Sequence, residues 1–252
     1  MKMSQDVDAT KTIPLPRPFV TLSYAQTLDG RLATSTGNSQ WISAPESLLF
    51  SHELRAEHDA IMVGVGTVCV DDPRLTVRLA TGRDPLRVVV DSTLRTPLTA
   101  AVLTEEAAPG TVLAVTDSAP AAKRDKVRAL GATVLCLPID SGGRVDLVAL
   151  LTVLRQLGVG SVLVEGGAQM ITALLQARLI DRLVVCVAPK ILGAGIEAVG
   201  DLGIRELARS LIVGDTSVTR HGADVVFEGR IEYPLPPPAT VESKKGEGCV
   251  TA

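Results

Sequence analysis

Phe, Tyr and Trp together make up only 2% of the 252 residues, and there are four cysteines and three histidines. So few aromatic side chains leave little on which bases of a single strand could stack. A formal net charge of −3 lacks the surplus of Lys and Arg that neutralising a phosphate backbone requires, so no nucleic-acid partner is expected. Cys69, Cys136, Cys186 and Cys249 are far apart and form no CxxC pair, and the first three are expected to be small apolar core residues. His52, His58 and His221 have neither metal-ligand nor triad spacing, and no GxSxG elbow is present. No metal site is expected, and hydrolytic or metal-dependent chemistry is disfavoured. The amino-terminal stretch has no signal-like apolar run, and no uninterrupted apolar stretch reaches the roughly 20 residues that span a bilayer. A cytoplasmic protein without membrane contact is expected.

What is present is a hydrophobic content of 46%, arranged as short β-branched runs alternating with amphipathic stretches. That alternation predicts an α/β fold with a mostly parallel sheet. Strands are expected over Phe19–Ala25, Ala60–Val65, Leu86–Asp91, Thr111–Thr116, Thr133–Leu137, Ser161–Glu165, Arg182–Ala188 and Ala223–Tyr233. Helices are expected over Pro45–Glu57 with Ser43 as N-cap, over Pro120–Leu130 ending at Gly131, and over Val145–Leu157 ending at Gly158. How the last strand joins the sheet is open. One domain over 18–234 is expected, between a tail at 1–17 and a flexible, Pro- and charge-rich tail at 235–252.

Three clusters hold residues able to do chemistry. Val162-Leu-Val-Glu165-Gly166-Gly167-Ala168 runs from strand to helix through two glycines, where backbone N–H groups and the positive helix end can approach a phosphate. It matches neither GxGxxG nor a P-loop, and packing or tight turning would also explain it. Glu165 lies where open α/β sheets bind ligands. The second cluster follows Ile61–Gly66 and contains Thr67, Asp71, Asp72, Leu75 and Arg78. Asp71 can accept from an amide or ribose, or merely cap a turn. Arg55 and Arg78 offer planar forks to phosphate oxygens, or are solvated surface. In the third cluster, Asp29-Gly30 signals a chain reversal, and the single tryptophan, Trp41, is either a core plug or a cofactor lid. With no nucleophile or metal set, reduction by a bound cofactor fits best.

Taken in order, Thr27-Leu-Asp-Gly-Arg31, Ser39-Gln-Trp-Ile42, Leu54-Arg55-Ala56, Gly66-Thr67-Val68, Asp71-Asp-Pro-Arg-Leu-Thr-Val77, Val89-Val-Asp-Ser92, Val164-Glu-Gly-Gly167 and Ala188-Pro-Lys-Ile-Leu-Gly193 resemble the pyrimidine reductases of riboflavin biosynthesis. The resemblance implies a dihydrofolate-reductase-like fold, a mixed, mostly parallel sheet flanked by helices, and commonly a homodimer. It implies NADPH, with cofactor contacts at Ala25, Trp41, Thr67, Asp71, Ser92, Gly166, Gly167, Ala168, Gln169, Met170, Ile171, Thr172 and Ala173. Substrate contacts carry over to Ser39, Arg55, Leu75, Arg78 and Glu165, the arginines holding a 5′-phosphate and Glu165 serving catalysis. The implied reaction is hydride transfer to C1′ of a ring-opened ribosylamino imine. Ser23 stands where several relatives carry lysine, and whether the pyrimidine is a diaminopyrimidine or an aminouracil stays open. The HxE and PCxxC ligands of the family's deaminase half are absent, so deamination is expected on another chain. The rival readings are a pterin reductase on the same fold and a non-catalytic nucleotide-binding protein.

Overall fold

Strand alternation decides how the sheet is buried: in β3 (Ala60–Gly64), Ala60 and Met62 enter one core while Ile61 and Val63 enter another. The computed structural model describes residues 16–40 and 42–234. Its other strands are β1 (Phe19–Thr27), β2 (Arg31–Thr34), β4 (Leu86–Val90), β5 (Thr111–Val115), β6 (Thr133–Cys136), β7 (Ser161–Glu165), β8 (Arg182–Ala188), β9 (Gly195–Glu197), β10 (Ile212–His221) and β11 (Asp224–Glu232). Nine of them form one sheet in the order β10-β11-β8-β1-β7-β3-β4-β5-β6, and β2 pairs with β9. From β8 to β6 all neighbours are parallel, β11 runs antiparallel to β8, and β10 runs antiparallel to β11. The sheet is therefore mixed and mostly parallel, as expected, and the last strand joins it beside β8.

Helices cover both faces. α1 (Pro45–Glu57), α2 (Val65–Asp71) and α3 (Ala121–Ala129) pack on the face of Ile61, Leu163 and Leu113, through Leu54, Val68 and Val127 respectively. α4 (Leu147–Gln156) and α5 (Ala168–Gln176) cover the opposite face with Leu150, Leu151, Leu154, Ile171 and Leu174, spaced as one stripe of a 3.6-residue helix. Each such buried side chain stabilises the fold by about 1.5–3 kcal/mol.

Several expectations are corrected. The N-cap of α1 is Ala44, not Ser43, and it supplies no side-chain bond. Instead the buried Asp224 carboxylate, at the head of β11, accepts from the Ala44 N–H at 2.6 Å and the Ser47 hydroxyl at 2.7 Å. A tertiary acceptor thus replaces the local one. Cys69 and Cys136 are exposed and Cys186 half-buried, because α2 turns Cys69 outward and β6 is an edge strand. Val65 opens α2 rather than ending β3, and the helix expected from Val145 begins after Asp146, whose side chain accepts from the N–H groups of Val148 and Ala149. Trp41, Cys249, the tail at 235–252 and all of the tail at 1–17 but Pro16 and Arg17 lie outside the described residues. Arg17 is tied at 2.7 Å to Asp181.

Candidate functional site

The chain builds outward from β3 to β6 and then returns to lay β7 between β1 and β3. Such a switch in strand order opens a crevice at the carboxyl ends, and Glu165 is the last residue of β7. Its carboxylate accepts from Arg55 Nε at 2.7 Å and from Arg55 Nη2 at 2.6 Å, while Arg55 Nη1 donates to the Thr76 carbonyl at 3.1 Å. Burial works to lower the Arg55 pKa, but the pair with Glu165 outweighs it and raises the guanidinium above its ordinary value. Two of its five N–H groups have no partner in these contacts.

Thr76 belongs to the loop that follows α2. Asp72 and Leu75 hold φ of 40° and 54°, left-handed values that L side chains seldom adopt. Such strain survives where the surroundings over-determine it. Here Asp72 accepts from the Ala101 N–H at 2.7 Å, Asp84 accepts from the Val77 N–H at 2.7 Å, and the Arg74 carbonyl accepts from the buried Arg87 at 3.1 Å. Leu75 is itself 2% exposed, packed in the core that contains Val65 and Val68. The loop presents Arg78 to solvent, with Nη1 donating to the Thr76 hydroxyl at 3.0 Å. Desolvation lowers the Arg78 pKa, and the neighbouring charges of Arg55 and Arg74 lower it further, against the attraction of Asp84 and Glu165. The charges of Arg55, Arg74 and Arg78 thus bear on one another beside the loop, and an anion would relieve them.

On the other side of Glu165 lies the paired-glycine turn. Gly167 is the N-cap of α5 with φ −76° and ψ 165°, and neither it nor Gly166 has a positive φ. A Cβ at Gly166 would meet only Met170 at ordinary contact distance, and one at Gly167 would meet nothing within 4 Å. Neither the turn nor packing therefore demands a glycine at 167, and what its bareness leaves clear is space before the amino end of α5, where backbone N–H groups lack intrahelical acceptors. That cradle fits the phosphates of a dinucleotide. Along α5, Gln169 is exposed and Ala168 half-buried at the mouth, whereas the Met170 and Ile171 side chains are in the core. The Thr172 hydroxyl donates to the Ala168 carbonyl and accepts from the Gly200 N–H, and Ala173 is half-buried.

The remaining candidates lie around this edge. Thr67 is half-buried in the first turn of α2, and Asp71, on its last turn, is exposed yet has its carboxyl pushed above the ordinary range by desolvation. Ser92 follows β4, and its hydroxyl accepts from the Val145 N–H at 3.0 Å. Ala25 is half-buried in β1, two residues beyond Ser23, which pairs in register with Glu165. Ser39 is half-buried before α1, with no bond to the Arg55–Glu165 pair. Asp29 makes more than a turn: it accepts from the Thr27 hydroxyl at 2.6 Å and from the N–H groups of Leu192 and Gly193, and the Thr27 bond above all lowers its pKa to about 2. The residues that sequence reasoning missed are the supports, His52, Asp84 and Arg87. Of these only His52 left a signal, standing three positions before Arg55 and so on the same helix face.

Comparison with known proteins places the fold in a family. The family model of the RibD C-terminal domain matches residues 18–227. A riboflavin biosynthesis protein RibD of Aquifex aeolicus is 43% identical over 212 residues, 84% of this chain, and the chain spans 57% of that relative's length. The 2,5-diamino-6-ribosylamino-4(3H)-pyrimidinone 5′-phosphate reductase of Methanothermobacter thermautotrophicus is 41% identical over 218 residues, 81% of this chain and 98% of that protein. The solved structure of Acinetobacter baumannii RibD superposes with a TM-score of 0.75 at 30% identity, over 86% of this chain and 59% of that one. With the match running from the first strand into the last, the chain belongs to the RibD C-terminal domain family.

Proposed function

We propose that the chain is an NADPH-dependent reductase that converts the ribosylamino side chain of a pyrimidine 5′-phosphate to ribitylamino. One observation supports this reading: Glu165, which leads directly into the glycine turn, is bonded to Arg55, and Arg55 to the Thr76 carbonyl in the loop of Arg78. On this reading the cofactor's phosphates lie at the glycine turn and the substrate's phosphate at the arginines, with Glu165 between them. The 41% identical archaeal relative, named as a reductase of such a phosphate, supports the substrate class.

NADPH, when bound, supplies a hydride to the electrophilic C1′ of the ring-opened imine, whose nitrogen takes a proton. The protein's share is to place the partners. Arg78 and the two spare N–H groups of Arg55 hold the phosphate, and the backbone before α5 holds the cofactor's phosphates. Glu165, fixed by Arg55, orients sugar hydroxyls or relays the proton at the reacting end. Fixing both reactants in contact replaces a collision by a positioned step, and excluding water protects the hydride path. Arg95, exposed after β4 with its N–H anchored on the Asp91 carboxylate, and Ser92 beside it are the candidates for the 2′-phosphate that selects NADPH over NADH. We also assign the chain a homodimeric state.

The test is loss of absorbance at 340 nm with NADPH and each of the two candidate pyrimidine phosphates. Turnover of either supports the reading, turnover of dihydrofolate alone favours the pterin rival, and thermal stabilisation by NADPH without turnover of any substrate leaves a binding protein. A higher kcat/KM with NADH than with NADPH would refute the cofactor assignment.

A further inference from the structure

Two buried histidines lie on or beside α1, and only one is satisfied. His58 bonds through both ring nitrogens, to the Leu54 carbonyl at 2.6 Å and the Thr21 hydroxyl at 2.9 Å. His52 is 0% exposed, its Nδ1 accepts from the Arg78 backbone N–H at 2.9 Å, and its Nε2 has no hydrogen-bond partner. A ring nitrogen that accepts an N–H carries no proton, so the neutral ring bears its hydrogen on Nε2, where nothing receives it. Leaving a buried donor unmade is costly, and a packed apolar side chain would avoid the cost. What the imidazole does at this position is capture the backbone of Arg78.

We infer that His52 is a positioning residue for the phosphate subsite: by accepting the Arg78 N–H it sets the backbone from which the exposed guanidinium reaches the substrate's phosphate. The arrangement is coherent with its surroundings. Arg55, three residues on in the same helix, grips the same loop through the Thr76 carbonyl, so α1 holds the loop at both ends of Thr76–Arg78. The loop needs holding because Asp72 and Leu75 keep it in left-handed backbone. His52 makes no hydrogen bond to the glycine turn or to Glu165, which it meets only through charge.

The inference rests on the reading that Arg78 faces a phosphate, and its test works without turnover. Ribose 5-phosphate affinity is measured by calorimetry on the full chain for the wild type, His52→Leu, His52→Asn and Arg78→Ala. The leucine variant keeps the packing but removes the acceptor, whereas the Asn Oδ1 restores an acceptor near Nδ1. We expect His52→Leu to weaken binding about tenfold and His52→Asn to stay within about threefold of wild type. In an Arg78→Ala background His52→Leu should have no further effect. With NADPH and the pyrimidine phosphate, His52→Leu should raise KM by a similar factor with kcat within about twofold, and a dephosphorylated substrate should not respond. His52→Met supplies the same deletion should the leucine variant not fold. Equal losses in the Leu and Asn variants, an undiminished effect in the Arg78→Ala background, or no binding of ribose 5-phosphate by the wild type would overturn the inference. A wild type that binds ribose 5-phosphate but reduces neither pyrimidine defeats the proposed function and leaves the His52 comparison decisive.

Discussion

At the carboxyl end of β7, each member of the Arg55–Glu165 pair is the other's principal partner, with side chains 11% and 23% exposed. Removing one leaves a partly buried charge without its counter-ion, so the loss exceeds what the pair contributes net. Glu165→Gln should therefore cost about 1–3 kcal/mol in urea unfolding and reduce kcat, while NADPH titration remains near wild type. Unchanged kcat would remove Glu165 from the chemistry. The imidazole of His52 gives a pH signature. Burial above all holds its pKa below the usual value, the charges of Arg55 and Arg78 add to this, and the Glu165 charge opposes. The unfolded chain thus takes up its proton at a higher pH than the folded one. Stability from the neutral ring is complete above about pH 6.5 and declines as pH falls from there through the depressed folded value. Melting temperatures measured downward from pH 7 should fall more steeply for the wild type than for His52→Asn, and parallel curves would contradict this.

Among the elements, α5 and α1 make opposite demands at their amino ends. α5 starts at a bare Gly167 with no capping side chain, and its mouth is open. An aspartate there is a favoured N-cap and complements the helix dipole, so Gly167→Asp should raise stability by about 0.5–1 kcal/mol. The same carboxylate would repel a pyrophosphate, and KM for NADPH should rise at least about tenfold. A stabilised variant with unaltered NADPH affinity would place the cofactor elsewhere. α1 is instead tied at its start to Asp224, which also receives the Cys186 thiol at 3.4 Å. Burial chiefly, and the Asp224 charge as well, push that thiol up to about 11, although the Ser47 bond acts the other way. Asp224→Ala would leave the Ala44 and Ser47 donors unsatisfied and should cost about 2–3 kcal/mol in denaturant unfolding. Because α1 carries both His52 and Arg55, the KM for the phosphorylated substrate should rise in that variant, even though Asp224 is far from Arg78 in the chain.

On the scale of the whole molecule, no described helix is long and apolar enough to cross a membrane. An apolar groove of about 520 Å³ nevertheless lies over β1, β8 and the start of β11, lined by Tyr24, Leu28, Val185, Val187, Val225 and Phe227, and Leu28 is 64% exposed. If the homodimer proposed above forms, a face of this kind is where a second copy would bury apolar area. Sedimentation equilibrium should return twice 26.4 kDa, and Leu28→Asp should shift the population toward the monomer. A monomer at all concentrations would refute the homodimer.

Periodicity alone determined much of this protein. The runs Ala60–Gly64, Leu86–Val90, Thr111–Val115 and Ser161–Glu165 are dense in β-branched and apolar residues, which commits each to a buried parallel strand whatever surrounds it. The glycine turn, Glu165, Arg55 and Arg78 were expected together only through the resemblance to the riboflavin pyrimidine reductases, and of that set the structure bonds Glu165 to Arg55. Elements with weak local signals were not legible: the four residues of β2, the three of β9 and the largely exposed β10 exist because partners distant in the chain supply their hydrogen bonds. The same holds for the site. That Glu165 and Arg55 are one ion pair, that Asp224 rather than Ser43 caps α1, and that His52 holds Arg78 are contacts between residues 26 to 180 positions apart. No sequence window contains both partners, so only folding the sheet in this strand order could bring their charges and donors within reach of each other.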